Sequence, residues 1–171
     1  MMALTVLLGV STLPASSQAL SEPQKKVVTS WIAQHLGYRL ANDNDCKCDE
    51  DLHTIRRTGY GGRWKPVPYY HPYIAVGDFN GDGNTDFAVA LIFNNSPSRF
   101  AILVFNGPFD SANITPAYFD HDLKMRGIGF FFGPPRPKPY RLVIGPFESE
   151  GYLLLPKGQT YRIQSISSEN E

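Results

Sequence analysis

Apolar positions in this chain follow two periods. Near the N-terminus Val27, Val28, Trp31, Ile32 and Leu36 recur at helical spacing. Ser21-Glu22-Pro23-Gln24 ahead of them is a capping box with proline at an early helical position, and Gly37 behind them is a left-handed stop. This predicts one amphipathic helix over about 22–36. Beyond it the apolar runs are short and β-prone: 73–76, 87–93, 99–105, 125–132, 140–144, 151–155 and 160–166. Runs 87–93 and 99–105, broken by Asn94-Asn-Ser-Pro-Ser98, predict an antiparallel hairpin. The expected fold class is α+β, an N-terminal helix packed on one mainly antiparallel sheet. Gly133 to Pro139 reads as a stiff polyproline connector, and residues 167–171 as a fraying tail.

Composition narrows the class of protein. With 171 residues the chain suits a single domain over 20–166, and its 15 glycines and 14 prolines favour turns over long helices. Formal charge is zero, so no global field draws it to nucleic acid or anionic lipid. Residues 1–19 carry no charged side chain. They join an apolar run, Ala3 to Leu13, to Pro14 and a small-x-small end at Ser17-Gln18-Ala19, which reads as a signal peptide. The run is too short for a membrane span, which needs about 20 residues. The expected location is extracytoplasmic, periplasmic or secreted.

Candidate chemistry concentrates in Asp78-Phe-Asn80-Gly-Asp82-Gly83-Asn84-Thr-Asp86, where oxygen-bearing side chains stand at alternate positions around a glycine. A hard cation is held by six to eight oxygens brought to one point by a tight turn. Asp78, Asn80 and Asp82 offer side-chain oxygens at loop positions 1, 3 and 5. Gly83 reverses the chain at 6, Asn84 offers its carbonyl at 7, and Asp86 closes the cage at 9. An EF-hand would carry Glu at position 12, where this chain has Val89, and its flanks would be helical. The loop belongs between strands.

The segment 76–90 resembles the FG-GAP and VCBS repeats of integrin α-subunit propellers and of many secreted bacterial proteins. The resemblance implies a strand, a nine-residue calcium loop and a second strand, with Asp78, Asn80, Asp82, the Asn84 carbonyl and Asp86 as ligands to a structural Ca2+. It covers about residues 73–93. A full propeller needs more strands than this length supplies. Val76-Gly-Asp-Phe79, Asn106-Gly-Pro-Phe109 and Ile144-Gly-Pro-Phe147 share a turn pattern, either decayed copies of one hairpin or merely similar turns.

Four further features carry weaker chemistry. Cys46-Lys-Cys48, inside the acidic stretch 42–51, reads as a disulfide stapling a loop, with a redox pair or a metal site with His53 as alternatives. The acids there and the bases Arg56, Arg57, Arg63 and Lys65 are expected to pair with one another. The aromatic passage holding Trp64, Tyr69, Tyr70 and Tyr73 is either a core lid or a surface for a protein or carbohydrate partner. No nucleophile elbow, phosphate loop or helical zinc motif occurs, and Asp120-His121-Asp122 splits between two faces if it forms a strand. The leading expectation is an exported, non-catalytic calcium-binding interaction module. The alternatives are an exported hydrolase with a structural calcium and an acid/base site near His121 or His71, and a metal-free domain whose loop is only an Asx-rich hairpin.

Overall fold

The computed structural model describes residues 19–59, 65–111, 115–123, 129–132, 142–145 and 151–165. Residues 1–18, 133–139 and 167–171, expected above as a leader, a connector and a tail, lie outside that set, as do Arg63 and Trp64. Helix α1 (Glu22–Gln34) starts at its capping box, with the Ser21 N–H donating to Gln24 Oε1 at 2.9 Å. It ends earlier than the periodicity suggests. His35 caps it, Gly37 does not adopt positive φ, and Leu36 is 83% exposed rather than part of the buried stripe.

Three short elements follow: β1 (Tyr38–Leu40), α2 (Asp43–Cys46) and α3 (Asp49–Arg57). The acidic stretch is therefore helical, not a loop. Asp49, Glu50 and Asp51 occupy the first turn of α3 and Arg56 and Arg57 the last, each sign at the end of the helix dipole that favours it. The remaining strands are β2 (Ile74–Gly77), β3 (Asp86–Phe93), β4 (Ser96–Phe105), β5 (Tyr118–Leu123), β6 (Gly129–Phe132), β7 (Leu142–Gly145), β8 (Tyr152–Lys157) and β9 (Thr160–Ser165). They form two antiparallel sheets instead of one.

The five-stranded sheet runs β1-β3-β4-β5, with β2 sharing the β1 edge of β3; the four-stranded sheet runs β6-β7-β8-β9. Strand β3 explains why a second layer is required. Its side chains alternate, and both sets are buried. Phe87, Val89 and Leu91 join Ala101, Leu103 and Phe105 of β4 in a core shared with Val27, Val28 and Trp31 of α1. Ala88, Ala90 and Ile92 join Phe100, Ile102 and Val104 in a core shared with Leu52 and Ile55 of α3 and with Leu142, Ile144, Leu154 and Tyr161 of the second sheet. A sheet apolar on both faces must be covered on both. The result is a helix layer, a central sheet, and a third layer of α3 and the small sheet. Among the described residues no helix is long and apolar enough to cross a membrane.

Candidate functional site

The loop between β2 and β3 is ordered by its own amides. Pairing of Ile74 with Val89 through Gly77 with Asp86 brings its ends together. Gly81 and Gly83 take φ of 82° and 91°, which the turn requires and a side chain would resist. Six consecutive N–H groups, 79 to 84, then donate inward to side-chain oxygens. Phe79 and Asn80 donate to Asp86 Oδ2 at 2.8 and 3.3 Å. Gly81 and Gly83 donate to Asp78 Oδ1 and Oδ2 at 2.7 and 3.0 Å. Asp82 donates to Asn80 Oδ1 at 2.9 Å, and Asn84 to Asp82 Oδ1 at 2.7 Å. The alternation that marks the sequence thus places Asp78, Asn80, Asp82 and Asp86 around one ring of amides.

Their environments differ. Asp82 is at the exposed rim, where the Asn84 N–H holds its carboxyl below the ordinary range. Asp86 is 0% exposed, and burial pushes its carboxyl up against the lowering effect of the Gly107, Phe79 and Asn80 amides, with the negative charge of Asp82 adding to the rise. Its Oδ1 accepts from Gly107 N at 3.0 Å. The Tyr161 hydroxyl lies 2.8 Å from Asn106 Oδ1 and 3.3 Å from Asp86 Oδ2, placing its single proton between two acceptors. Burial raises the Tyr161 phenol strongly, and the Asp86, Asp82 and Asp78 charges raise it further.

As a donor set the loop suits calcium in chemistry: oxygen only, three carboxylates, one amide oxygen and one backbone carbonyl. A carboxylate oxygen has two lone pairs, so an amide bond does not by itself bar a metal bond. Among the described residues, however, no three acidic, histidine or cysteine groups are drawn together as a metal would hold them. The oxygens here face the loop's own amides.

A second locus forms around α2. Cys46 and Cys48 are joined by a disulfide with a Cα–Cα separation of 5.1 Å, and Lys47 between them is left-handed at φ 52°. Arg39 clamps Asp45 in a two-pronged pair at 2.7 and 2.8 Å. Arg56 pairs with Asp43 Oδ2 and also donates from Nε and Nη2 to the Tyr70 carbonyl at 3.0 and 2.7 Å. His71 Nδ1 stands 3.1 Å from Asp43 Oδ1. Burial works against the Asp43 charge, but the Arg56 and His71 hydrogen bonds prevail and hold the carboxyl below its ordinary range. Asp43 and His71, with Asn42, Asn44 and Tyr73, line a groove of about 410 Å³. The described lining contains no serine, threonine or free thiol.

Other candidates separate. Tyr69 is 81% exposed, but Tyr70 and Tyr73 are core residues, with the Tyr73 ring 5.3 Å from Phe100; the aromatic passage is therefore not one continuous binding surface. His121 follows β5 alternation onto the face of Phe119, 5.8 Å away, while Asp120 pairs with the Tyr118 hydroxyl. His35 stacks on Trp31 at 3.8 Å, and its Nδ1 lies 2.7 Å from the Trp31 carbonyl. His53 is exposed on α3, and no cluster joins it to the cysteines. The Tyr161 contact was invisible to local reading because it spans 75 residues. A scan against protein-family models and searches of curated proteins and of solved structures each found no match.

Proposed function

We propose that this chain is an exported, non-catalytic calcium-binding domain in which Ca2+ fixes the β2–β3 hairpin of a protein- or carbohydrate-binding module. The single observation that carries the reading is the ring of six inward amides, which orients Asp78, Asn80, Asp82 and Asp86 around one turn. Three carboxylates within nine residues repel one another, and a divalent cation relieves that repulsion. The absence of the position-12 glutamate implies weak binding, suited to calcium-rich surroundings outside the cytoplasm. The Cys46–Cys48 disulfide accords with the same surroundings. Thermal unfolding in calcium against chelator tests the site. Calcium is expected to raise the melting temperature of the wild type and leave Asp82→Ala unmoved, whereas an unmoved wild type removes the site.

A second reading has one observation in its favour. His71 meets Asp43, a carboxylate 28 residues away, at the wall of a groove, the arrangement of a base and its orienting acid. It makes the chain a hydrolase that activates water. Hydrolysis of a panel of chromogenic esters and glycosides, with His71→Ala as control, decides it; turnover no faster than the control excludes this reading.

A further inference from the structure

We propose that the Cys46–Cys48 disulfide is a redox-sensitive latch: its reduction releases α2 locally, parts Asp43 from His71 and leaves the two sheets folded. The inference is independent of the calcium reading, and it holds whether or not the Asp43–His71 pair does chemistry.

Helix α2 has only four residues, Asp43–Cys46. A single turn fixes several backbone angles for very few internal hydrogen bonds, so it does not persist without outside support. Its N-terminal end is held by a capping box, the Asn42 N–H donating to Asp45 Oδ2 at 2.9 Å and the Asn44 N–H to Asn42 Oδ1 at 3.0 Å. The C-terminal end is held by sulfur. Cys46 closes α2, Cys48 is the N-cap of α3, and the disulfide joins them across Lys47. Lys47 takes φ of 52°, a left-handed backbone that a residue with a β-carbon resists. The Arg39–Asp45 and Arg56–Asp43 pairs also touch α2, but both are partly open to water, which screens them.

The stabilisation a bridge gives the whole domain grows with the number of residues it encloses, and this one encloses a single residue. Its loss therefore falls on the corner between α2 and α3. The core on the α1 face of β3 contains no residue of that corner. Asp43 does belong to it, standing 3.1 Å from His71 at the groove wall.

Both cysteines are buried in the core that includes Leu52 and Ile55, so a reductant reaches sulfur through local opening of the corner. The reductant is a dithiol. One of its thiolates attacks a cysteine sulfur, breaking the Cys46–Cys48 bond and forming a mixed disulfide; its second thiol then displaces the cysteine. Two electrons and two protons pass to Cys46 and Cys48, and the dithiol ends as its own disulfide.

The test compares the full chain, oxidised and in excess dithiothreitol, by amide exchange, with the added mass of two hydrogens establishing reduction. Exchange over residues 42–48 is expected to quicken about 10-fold or more, while residues 86–105 keep their rates. His71→Ala supplies a second readout. It is expected to lower the urea midpoint of the oxidised chain and to leave that of the reduced chain unmoved, because the pair is already parted. A bridge that is only a staple would leave the His71→Ala loss equal in both states. Unchanged exchange over 42–48 after full reduction, an equal His71→Ala loss in both states, or reduction that opens residues 86–105 as well would each overturn the inference.

Discussion

Replacing Asp86 by alanine removes the acceptor on which the β2–β3 turn converges, and its cost follows from the donors left behind. The Phe79 N–H, bonded at 2.8 Å, is buried; the Asn80 and Gly107 N–H groups, at 3.3 and 3.0 Å, are part-buried. A buried donor left unsatisfied costs about 1–3 kcal/mol, and a part-buried one that finds water costs less. Tyr161 keeps Asn106 and adds little. Against these losses, the variant no longer buries a charge, the burden already evident in the raised Asp86 carboxyl. The net loss expected is about 3 kcal/mol, a large part of the roughly 5–15 kcal/mol of an ordinary domain. Urea unfolding at neutral pH in chelator measures it with calcium out of play. Asp86→Asn keeps the shape but turns an NH2 toward N–H donors, so it too should lose at least about 1 kcal/mol. A loss below about 1 kcal/mol for Asp86→Ala would show that the amide ring does not depend on this carboxylate.

Gly107→Ala drives a methyl against the Thr85 carbonyl at 2.6 Å, and urea unfolding should show a loss of about 1–3 kcal/mol from overpacking. The Arg39 hydrogen bonds hold the Asp45 carboxyl below its ordinary 3.8, against burial, and Arg56 and His71 do the same for Asp43. Lowered folded values mean that the stabilisation is present above the unfolded value and is lost as pH falls through the folded one. Urea midpoints should therefore drop below about pH 4, and Asp45→Asn should flatten that acid limb while lowering the midpoint at neutral pH. Reduction of Cys46–Cys48 opens only a very small ring. Unfolding with and without dithiothreitol should differ by about 1.5 kcal/mol, less than a long-range bridge gives.

What the sequence revealed depended on how local each cause is. Helix α1 was legible because its capping box and its apolar stripe lie within a dozen residues, and the β2–β4 runs because short uninterrupted β-prone apolar stretches need no partner to be seen. The end of α1 was not. Leu36 kept the helical spacing while lying past the cap at His35, and a stripe alone does not reveal where backbone bonding stops. Helix α3 was hidden by its charge, although Asp49-Glu50-Asp51 at one end and Arg56-Arg57 at the other, with Leu52 and Ile55 between, are a readable dipole pattern. Strand β5 carries Asp120 and Asp122, acids that weaken its strand signal and suit a sheet edge. The division into two sheets turns on which long-range strands pair, and no short window contains that choice.

The same distinction applies to the sites. The Gly81, Asp82, Gly83 and Asn84 amides that reach Asp78, Asn80 and Asp82 lie within the loop, so the spacing of the oxygens anticipated these bonds. The Asp43–His71 pair and the Tyr161–Asp86 contact join positions 28 and 75 residues apart. Burial of Tyr70 and Tyr73 likewise depends on α3 and on Phe100, which the aromatic passage itself does not announce.

Calcium binding by the loop is the central claim, and calorimetric titration of calcium into the wild-type chain measures it most directly. A saturable heat fitting one site per chain, lost in Asp82→Ala, is the result expected. Titration heats indistinguishable from dilution in the wild type, with the chain folded, would contradict it and leave the loop a hydrogen-bonded turn alone.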